Sequence, residues 1–418
     1  MIIKIALRNI LRHKRRTLIS AITVAVGLAI FIFFDSLMSG IDRSSLENMI
    51  NLTDGSLKVY SKEYAAEKMA YPLQYGIDNV SSIREHLNTL PEIKGVTPRI
   101  SFLSEIINGD QTLRIVGSVI QPDSDKQVYT LSKYVTEGRF FSKNSTNEVL
   151  LGKSLAQDLG IGVGDTVMLA ARNRYDAYNA QDFQVAGLLE TAAPVINESG
   201  VFITFQAAEL FLDTQGLVTE LTLHVPWSKA EDMTAYLHRV NAIKDKINAR
   251  FPTLTTSTFY DANGSFIELT AGKKKAQSMI AIFILLIGAV GIVNTVLMSV
   301  YERIREVGVL RSLGFQPGQI MKMFLLEGMF IGLVGSIIGA LMGVLLNIWL
   351  VYTGFDVSFL GGKIDASQFP IWGVFYGQWN IKTFIAAFIL GIGIAVLAAY
   401  VPARKAARIS PKECLKFT

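Results

Sequence analysis

Hydrophobic side chains in this chain are gathered into four long runs, with polar residues in the stretches between. Thr17 to Phe34, Ala276 to Tyr301, Gly328 to Phe355 and Thr383 to Ala403 contain no Asp, Glu, Lys or Arg. Each reaches the length, about 18 residues, that crosses roughly 30 Å of hydrocarbon as a helix. The pattern predicts four transmembrane helices, at residues 17–39, 273–301, 323–353 and 383–403. A cleaved leader is not expected at the first run, which is long and lacks a small-x-small site after it.

Between the first and second runs, residues 40–272 change character. "GSLKVYS", "TLRIVGSVI", "DTVMLAA", "DFQVAGLL", "GVFITF" and "TELTLHV" are short, β-branched and bounded by turn residues, so they read as strands. "SSIREHLNTL", "GKSLAQDLG" and "AEDMTAYLHRVNAIKDKINARF" have helical periodicity. The expected fold is a membrane protein of four transmembrane α-helices with a large α+β extracytoplasmic domain inserted between helices 1 and 2. Residues 1–16 read as an amphipathic helix, with Ile3, Ala6, Leu7 and Ile10 on one face and Lys4, Arg8 and Arg12 on another.

Charge orients this arrangement. Residues 1–16 hold six basic side chains and no acidic one, which places the N-terminus in the cytoplasm. Four spans return the tail, residues 404–418, to the same side, where it is again basic. The 40–272 domain has 28 acidic and 20 basic residues and is expected outside. Lys273, Lys274 and Lys275 lie on the outer side against the trend, where snorkelling to lipid phosphates accommodates them. The outer loop at 354–382 carries Trp372, Phe375, Tyr376 and Trp379, an interfacial aromatic belt.

Enzyme chemistry is not indicated. The one cysteine, Cys414, and the four histidines show no metal-ligand spacing. "GIGVGDTV" is glycine-rich but has no phosphate-binding lysine, and GxxxxGK[ST] occurs nowhere, so the chain is not expected to be its own NTPase. In the third run Gly328, Gly332, Gly335, Gly339 and Gly343 share one helical face, as in close helix packing within lipid. Asn294, the deepest polar residue of the second run, is expected to hydrogen-bond a neighbouring helix. Asp35 and Glu327, near span ends, are expected to reach the interface by snorkelling.

One charged stretch needs a different explanation. "YERIREVGVLRSLGF" at 301–315 lies between two spans, with Ile304, Val307, Leu310 and Leu313 recurring every three residues. Gly314 suits a helix C′ position and Pro317 the start of another helix. The other face mixes both signs of charge, which suits docking into a protein cleft better than binding lipid.

"GIVNTVLMSVYERIREVGVLRSLGFQPGQIMKMFLLEG" closely resembles a segment shared by ABC transporter permeases of the macrolide-exporter, lipoprotein-releasing and cell-division-permease superfamily. "ALRNILRHKRRTLISAITVAVGLA" and "YVPARKAARISPKECLKF" are similar to that superfamily's two ends. "GSLKVYSKEY", "GVTPRI" and "EVLLGKSLAQDLGIGVGDTV" look most like the lipoprotein-releasing branch. The macrolide exporter carries its ATPase on the same chain, cell-division permeases have a smaller outer domain, and the 354–382 loop here is longer than in that branch.

The resemblance implies that 302–322 is a coupling helix and turn, with Glu302, Arg303, Arg305, Glu306, Gly308 and Arg311 contacting a cytoplasmic ABC ATPase dimer. It implies no cofactor on this chain, with ATP and Mg bound by the ATPase. It also implies a second permease subunit, identical or related, in an inner membrane with the large domain periplasmic. Nucleic acid has no part in it. The implied work is mechanotransmission: ATP-driven closure inside the cell moves the outer domain. Lipoprotein extraction, export of peptides or small amphiphiles through an adaptor and channel, and signalling to a periplasmic hydrolase all share this architecture.

Overall fold

The computed structural model describes residues 2–12, 14–142, 145–228, 231–356 and 374–409. Cys414, Trp372 and most of the 354–382 loop lie outside the described residues. The chain divides into two compact units, one built from residues up to Arg43, from Leu269 onward and from Val374 onward, the other from Ser44–Glu268.

The first unit is helical. It contains α1 (Ile2–Arg12), and α2 (Lys14–Asn48) begins in it. In the second unit follow strands β1 (Leu57–Ser61), β2 (Gly95–Asn108), β3 (Gln111–Ile120), β4 (Val135–Gly138), β5 (Glu148–Gly152), β6 (Thr166–Arg172), β7 (Tyr178–Leu189), β8 (Val201–Thr204), β9 (Glu220–His224) and β10 (Leu254–Thr258). The helices of this unit that matter most to its packing are α3 (Val80–Thr89), α4 (Pro122–Val128), α5 (Phe205–Leu212) and α6 (Met233–Arg250). The chain then returns to the helical unit through α7 (Gly264–Glu302), α8 (Ile304–Ser312), α9 (Pro317–Thr353) and α10 (Ile381–Arg408).

All six segments read as strands from their alternation are strands, and the three read as helices are helices. The order β10-β1-β9-β2-β3-β8-β5-β7-β4 makes one mixed sheet, with β6 bridging β2 and β7. β3–β8 and β5–β7 are parallel and the other pairings antiparallel. Of the strands that alternation does not pick out, β2 is the longest. It pairs with β9 through Gly95–Arg99, with β6 through Ser104–Ile107 and with β3 through Arg99–Asn108. Pro98 hides it, because proline argues against an interior strand. Here Pro98 precedes the point where β3 begins to pair, so its missing N–H breaks no bond on that side.

Three apolar cores lie at different parts of this sheet, one of them around Leu131, Phe141, Leu150 and Phe202. Another surrounds Phe102, Phe183 and Phe211, and the third Val59, Leu221, Tyr236 and Phe259. Buried charges are paired, as low-dielectric surroundings require. Arg99 donates through Nε and Nη2 to Asp125 Oδ1 at 2.9 and 2.8 Å, stitching α4 to β2, and lies 3.6 Å from the Tyr129 ring centre. Lys58 lies 3.3 Å from Glu220 across β1 and β9. At the end of β9, His224 Nδ1 is buried without a hydrogen-bond partner among the described residues, and burial lowers the pKa of this imidazole.

Among the described residues, three helices are long and apolar enough to cross a membrane: Lys14–Asp54, Pro317–Thr353 and Ile381–Arg408. A fourth is counted if the bent pair Leu286–Glu302 and Ile304–Ser312 is one span; the two segments meet at 61°. α9 is the hub. A Cβ on Gly328 or Gly332 would overlap the Ala399 or Ala395 side chain of α10. On Gly335 or Gly339 it would lie 2.8 Å from the Ala21 or Ala25 carbonyl oxygen of α2. The glycine face therefore contacts two helices of its own chain, its first half α10 and its second half α2. In lipid, where apolar surface gains nothing from leaving the solvent, such close approach is what holds helices together.

Polar bonds lace the same helices. Ser20 of α2 and Thr295 of α7 share a hydroxyl–hydroxyl bond. Ser36 donates to Asn347 Oδ1 at 2.6 Å. Asp35 does not simply reach for solvent; it accepts from Gln277 at 3.2 Å and Asn380 at 3.4 Å. Past α9, Phe355–Asp356 (β11) pairs with Val374–Phe375 (β12), and Trp379 stacks on Phe384 at 5.9 Å.

Gly339→Leu is expected to destabilise the helical unit by about 1–3 kcal/mol through overpacking against the α2 backbone, whereas Leu345→Ala on an exposed face of α9 changes little. Thermal unfolding in detergent compares the two. A second expectation concerns acid. Because the folded-state pKa of His224 is depressed, the unfolded chain takes up its proton first, and stability falls as pH drops through the ordinary imidazole range. Unfolding midpoints at pH 7.5 and 5.5 should diverge less in His224→Leu than in the parent chain.

Candidate functional site

The charged stretch at 301–315 forms a distinct structure. α7 ends at Glu302, Arg303 leaves helical geometry (φ −114°, ψ 16°), and α8 sets off in a new direction. Leu313 ends it, Gly314 follows with φ +93°, and Pro317 opens α9. Proline costs nothing at this first position because its missing N–H has no helical acceptor.

The six residues implied as ATPase contacts are not equivalent. Glu302, Arg305 and Glu306 are exposed. Arg303 is 6% exposed and turns inward. Its Nη1 donates to Glu327 Oε1 at 2.6 Å and its Nε to Glu306 Oε2 at 2.8 Å, over the ring of Phe324. Gly308 is buried. Arg311 is half-buried and donates to the Ala407 carbonyl at 2.8 Å, satisfying an acceptor in the last turn of α10. Arg303, Gly308 and Arg311 thus face their own chain, not a free surface.

The exposed face also differs from the charge pattern. Ile304 and Val307 are buried as their spacing predicts, but Leu313 is 73% exposed because the helix ends there. Val309, outside the predicted stripe, is 50% exposed. The outward tip of α8 is therefore Val309 and Leu313, flanked by Arg305, Glu306 and Ser312. A tip of this kind, apolar with a charged rim, has the composition of a protein-docking anchor.

Glu327 was expected to snorkel. It is instead 4% exposed and accepts from both Arg303 and Asn9 of α1, the latter at 2.8 Å. A carboxylate buried this far must find compensating donors, and it takes them from two separate elements. Around it Arg16 of α2 donates to Glu302 at 2.8 Å and to Ser299, Arg12 lies 3.7 Å from Glu306, and Lys405 reaches the Tyr301 hydroxyl at 2.9 Å. Only a contact map identifies Glu327 as the centre, since it lies 24 residues from Arg303 and 318 from Asn9. Asn294 also departs from expectation: it is exposed, and its neighbour Thr295 makes the bond between helices. Among the described residues no group of His, Cys, Asp and Glu is arranged to hold a metal.

The described residues combine a helical unit with apolar spans, a mixed-sheet domain joined to it in sequence, and a short helix with an exposed face between two long ones. Comparison with known proteins gives the family. The family model described as "MacB-like periplasmic core domain" matches residues 17–243, and that described as "FtsX-like permease C-terminal" matches 278–411. The chain belongs to the family of ABC transporter permeases that these two models define. It is 23% identical to the uncharacterized ABC transporter permease MJ1507 of Methanocaldococcus jannaschii, over 99% of this chain and 97% of that one. It is 25% identical to the lipoprotein-releasing system transmembrane protein LolC of Neisseria meningitidis, over 97% of each chain. It is 23% identical to the macrolide export ATP-binding/permease protein MacB of Shewanella sp. ANA-3, over 99% of this chain but 60% of that longer one.

Removing one partner of the buried pair should cost more than removing both. Glu327→Leu or Arg303→Met alone is expected to destabilise by about 3–5 kcal/mol, and the double variant by clearly less, because an apolar pair leaves no uncompensated buried charge. Unfolding of the three purified variants measures the difference.

Proposed function

We propose that this chain is the permease subunit of an ABC transporter that extracts lipoproteins from the outer leaflet of a bacterial inner membrane. Its four spans are 17–39, 273–301, 323–353 and 383–403, both termini are cytoplasmic, and the 40–272 domain between the first two spans is periplasmic. The chain is not itself an enzyme. ATP and Mg bind a separate cytoplasmic ATPase dimer, which engages α8, and a second permease subunit completes the transporter. Closure of the ATPases pushes α8, and the spans carry the movement to the outer domain by mechanotransmission.

The observation that carries this reading is similarity along the whole length of a lipoprotein-releasing permease, 97% of both chains, whereas the macrolide exporter extends well beyond the match. Energetics support it. The described spans lack the ring of charges that lines a hydrophilic pore, and withdrawing acyl chains from a bilayer costs on the order of 0.8 kcal/mol per CH₂. A lipid-anchored cargo with several chains therefore needs work from ATP.

The test is co-purification from native membranes in mild detergent, followed by ATPase assays in lipid with and without acylated protein. An ATPase and acylated proteins are expected in the complex. An adaptor or a hydrolase in place of acylated proteins would sink the cargo assignment. Charge reversal at Arg305 and Glu306, or Val309→Asp with Leu313→Asp, should reduce cargo-stimulated hydrolysis at least tenfold, the Val309 and Leu313 variant with unfolding temperature unchanged because neither side chain takes part in the ion pairs that hold α8. Full stimulation in both variants would remove α8 from the mechanism.

A further inference from the structure

The edges of the large sheet are not protected alike. A sheet edge offers unpaired N–H and C=O groups to any passing strand, and proteins blunt it with bulges, charge or cover. β4, at one end of the strand order, carries the exposed Glu137 and a register shift between Val135 and Glu137. β10, at the other end, has no exposed residue. A third edge lies within the order. β8 pairs with β3 only from Gly117 to Ile120, so Gln111–Val116 has β2 on one side and no strand on the other. The hairpin closes through Gly109 and Asp110, which makes Asn108 and Gln111 a bonded pair. Alternation then turns the N–H and C=O of Leu113 and Ile115 to β2, and those of Thr112, Arg114 and Val116 to the open side. Among the described residues no backbone group bonds to them there.

This edge is apolar on both faces. Ile115 points into the core around Phe102, and Leu113, two residues away on the same face, is left exposed because no strand lies beside it. On the other face Val116 sits opposite the exposed Leu103. The one charge, Arg114, is drawn across to β2, its Nε donating to Glu105 Oε1 at 3.3 Å. The room beside the edge is limited. β8 closes one end at Val201. The helix Lys153–Leu159 that follows β5 reaches the other, where Asn108 Nδ2 donates to the Leu159 carbonyl at 2.9 Å. Such a slot takes one extended chain as long as Gln111–Val116, and not the edge of a second folded sheet.

We propose that the open edge of β3 binds the unfolded tether of a lipid-anchored cargo protein as an added strand, through main-chain hydrogen bonds. This rests on the lipoprotein-extracting function proposed above. The chemistry of the edge selects the occupant, because N–H and C=O groups alternating along a strand are matched by another extended backbone. A protein held by acyl chains has such a stretch, since its fold must stand clear of the headgroups. Main-chain bonding accepts varied side chains on the tether, which suits a permease with more than one cargo. A dedicated partner would be read through side-chain pockets, and this edge offers only the flank of Leu113.

The test uses the full-length Cys414→Ser chain with its co-purified ATPase in lipid nanodiscs. Gln111→Cys, labelled with a benzophenone, reports on the slot, and Thr136→Cys on the β4 edge is the control. The probe is a biotinylated dipalmitoyl-glyceryl-cysteinyl peptide whose tether alternates threonine and valine. Cross-linking is expected at 111 and not at 136. In two further probes either every threonine or every valine is N-methylated. An added strand turns only one set of its N–H groups to β3, so one of these probes should lose cross-linking by about tenfold or more and the other keep it. Thr112→Pro removes one edge donor and leaves the bonds to β2 in place. It should lower cross-linking about fivefold with the unfolding temperature unchanged. Equal loss with both methylated probes, no loss with either, or equal labelling at 136 would overturn the proposal. Lipopeptide-stimulated hydrolysis without a cross-link at 111 would overturn this site and leave the permease reading standing. A cross-link that depends on which set is methylated, but without stimulation, would overturn the cargo as its occupant.

Discussion

A carboxylate buried at the base of α9 constrains everything around it. Glu327 cannot remain charged inside the bundle without donors, and the donors come from Asn9 on α1 and Arg303 at the break between α7 and α8. Arg303 in turn needs its remaining N–H groups satisfied, and Glu306 on α8 supplies an acceptor. The short helix that the spacing predicts is thereby fixed to its own bundle through a charge-assisted chain. In the proposed function, where an ATPase pushes α8, this attachment keeps the helix from yielding at its base.

The rest of the helical unit follows the physics of association in lipid. Apolar faces gain nothing by meeting, so contact depends on approach distance and on polar bonds. α9 supplies the first through its glycines, which admit α10 along one half and α2 along the other. Ser20–Thr295, Ser36–Asn347 and the partners of Asp35 supply the second. The β-rich domain uses the opposite strategy suited to water: apolar cores on a mixed sheet, with the buried charges of Arg99, Asp125, Lys58 and Glu220 matched in pairs. One chain thus contains two solutions to burial, each legible from its own solvent.

The division of residues within α8 bears directly on function. Six residues share a motif, yet Arg303, Gly308 and Arg311 face inward and hold the helix, while Glu302, Arg305 and Glu306 remain exposed. Val309 and Leu313 join the exposed group although neither is charged. The exposed side of α8 is thus an apolar tip inside a charged rim.

The sequence by itself determined the class: four uninterrupted apolar runs, a polar insertion with strand and helix periods, and a motif between the second and third runs. These are local properties, because hydrophobic length and side-chain period are set within a few turns of chain. It also located β1, β3, β6, β7, β8 and β9, whose alternation is undisturbed, but not β2, where Pro98 is tolerated only because of what does and does not pair beside it. Tertiary structure alone decided the roles of single polar residues. Glu327 looked like a snorkelling acid and Arg303 like a surface contact, and both are instead buried and paired, while Asn294 is exposed on α7. The reason is geometric: a polar residue's role depends on which distant groups lie within about 3 Å of it, and no period in one dimension records that.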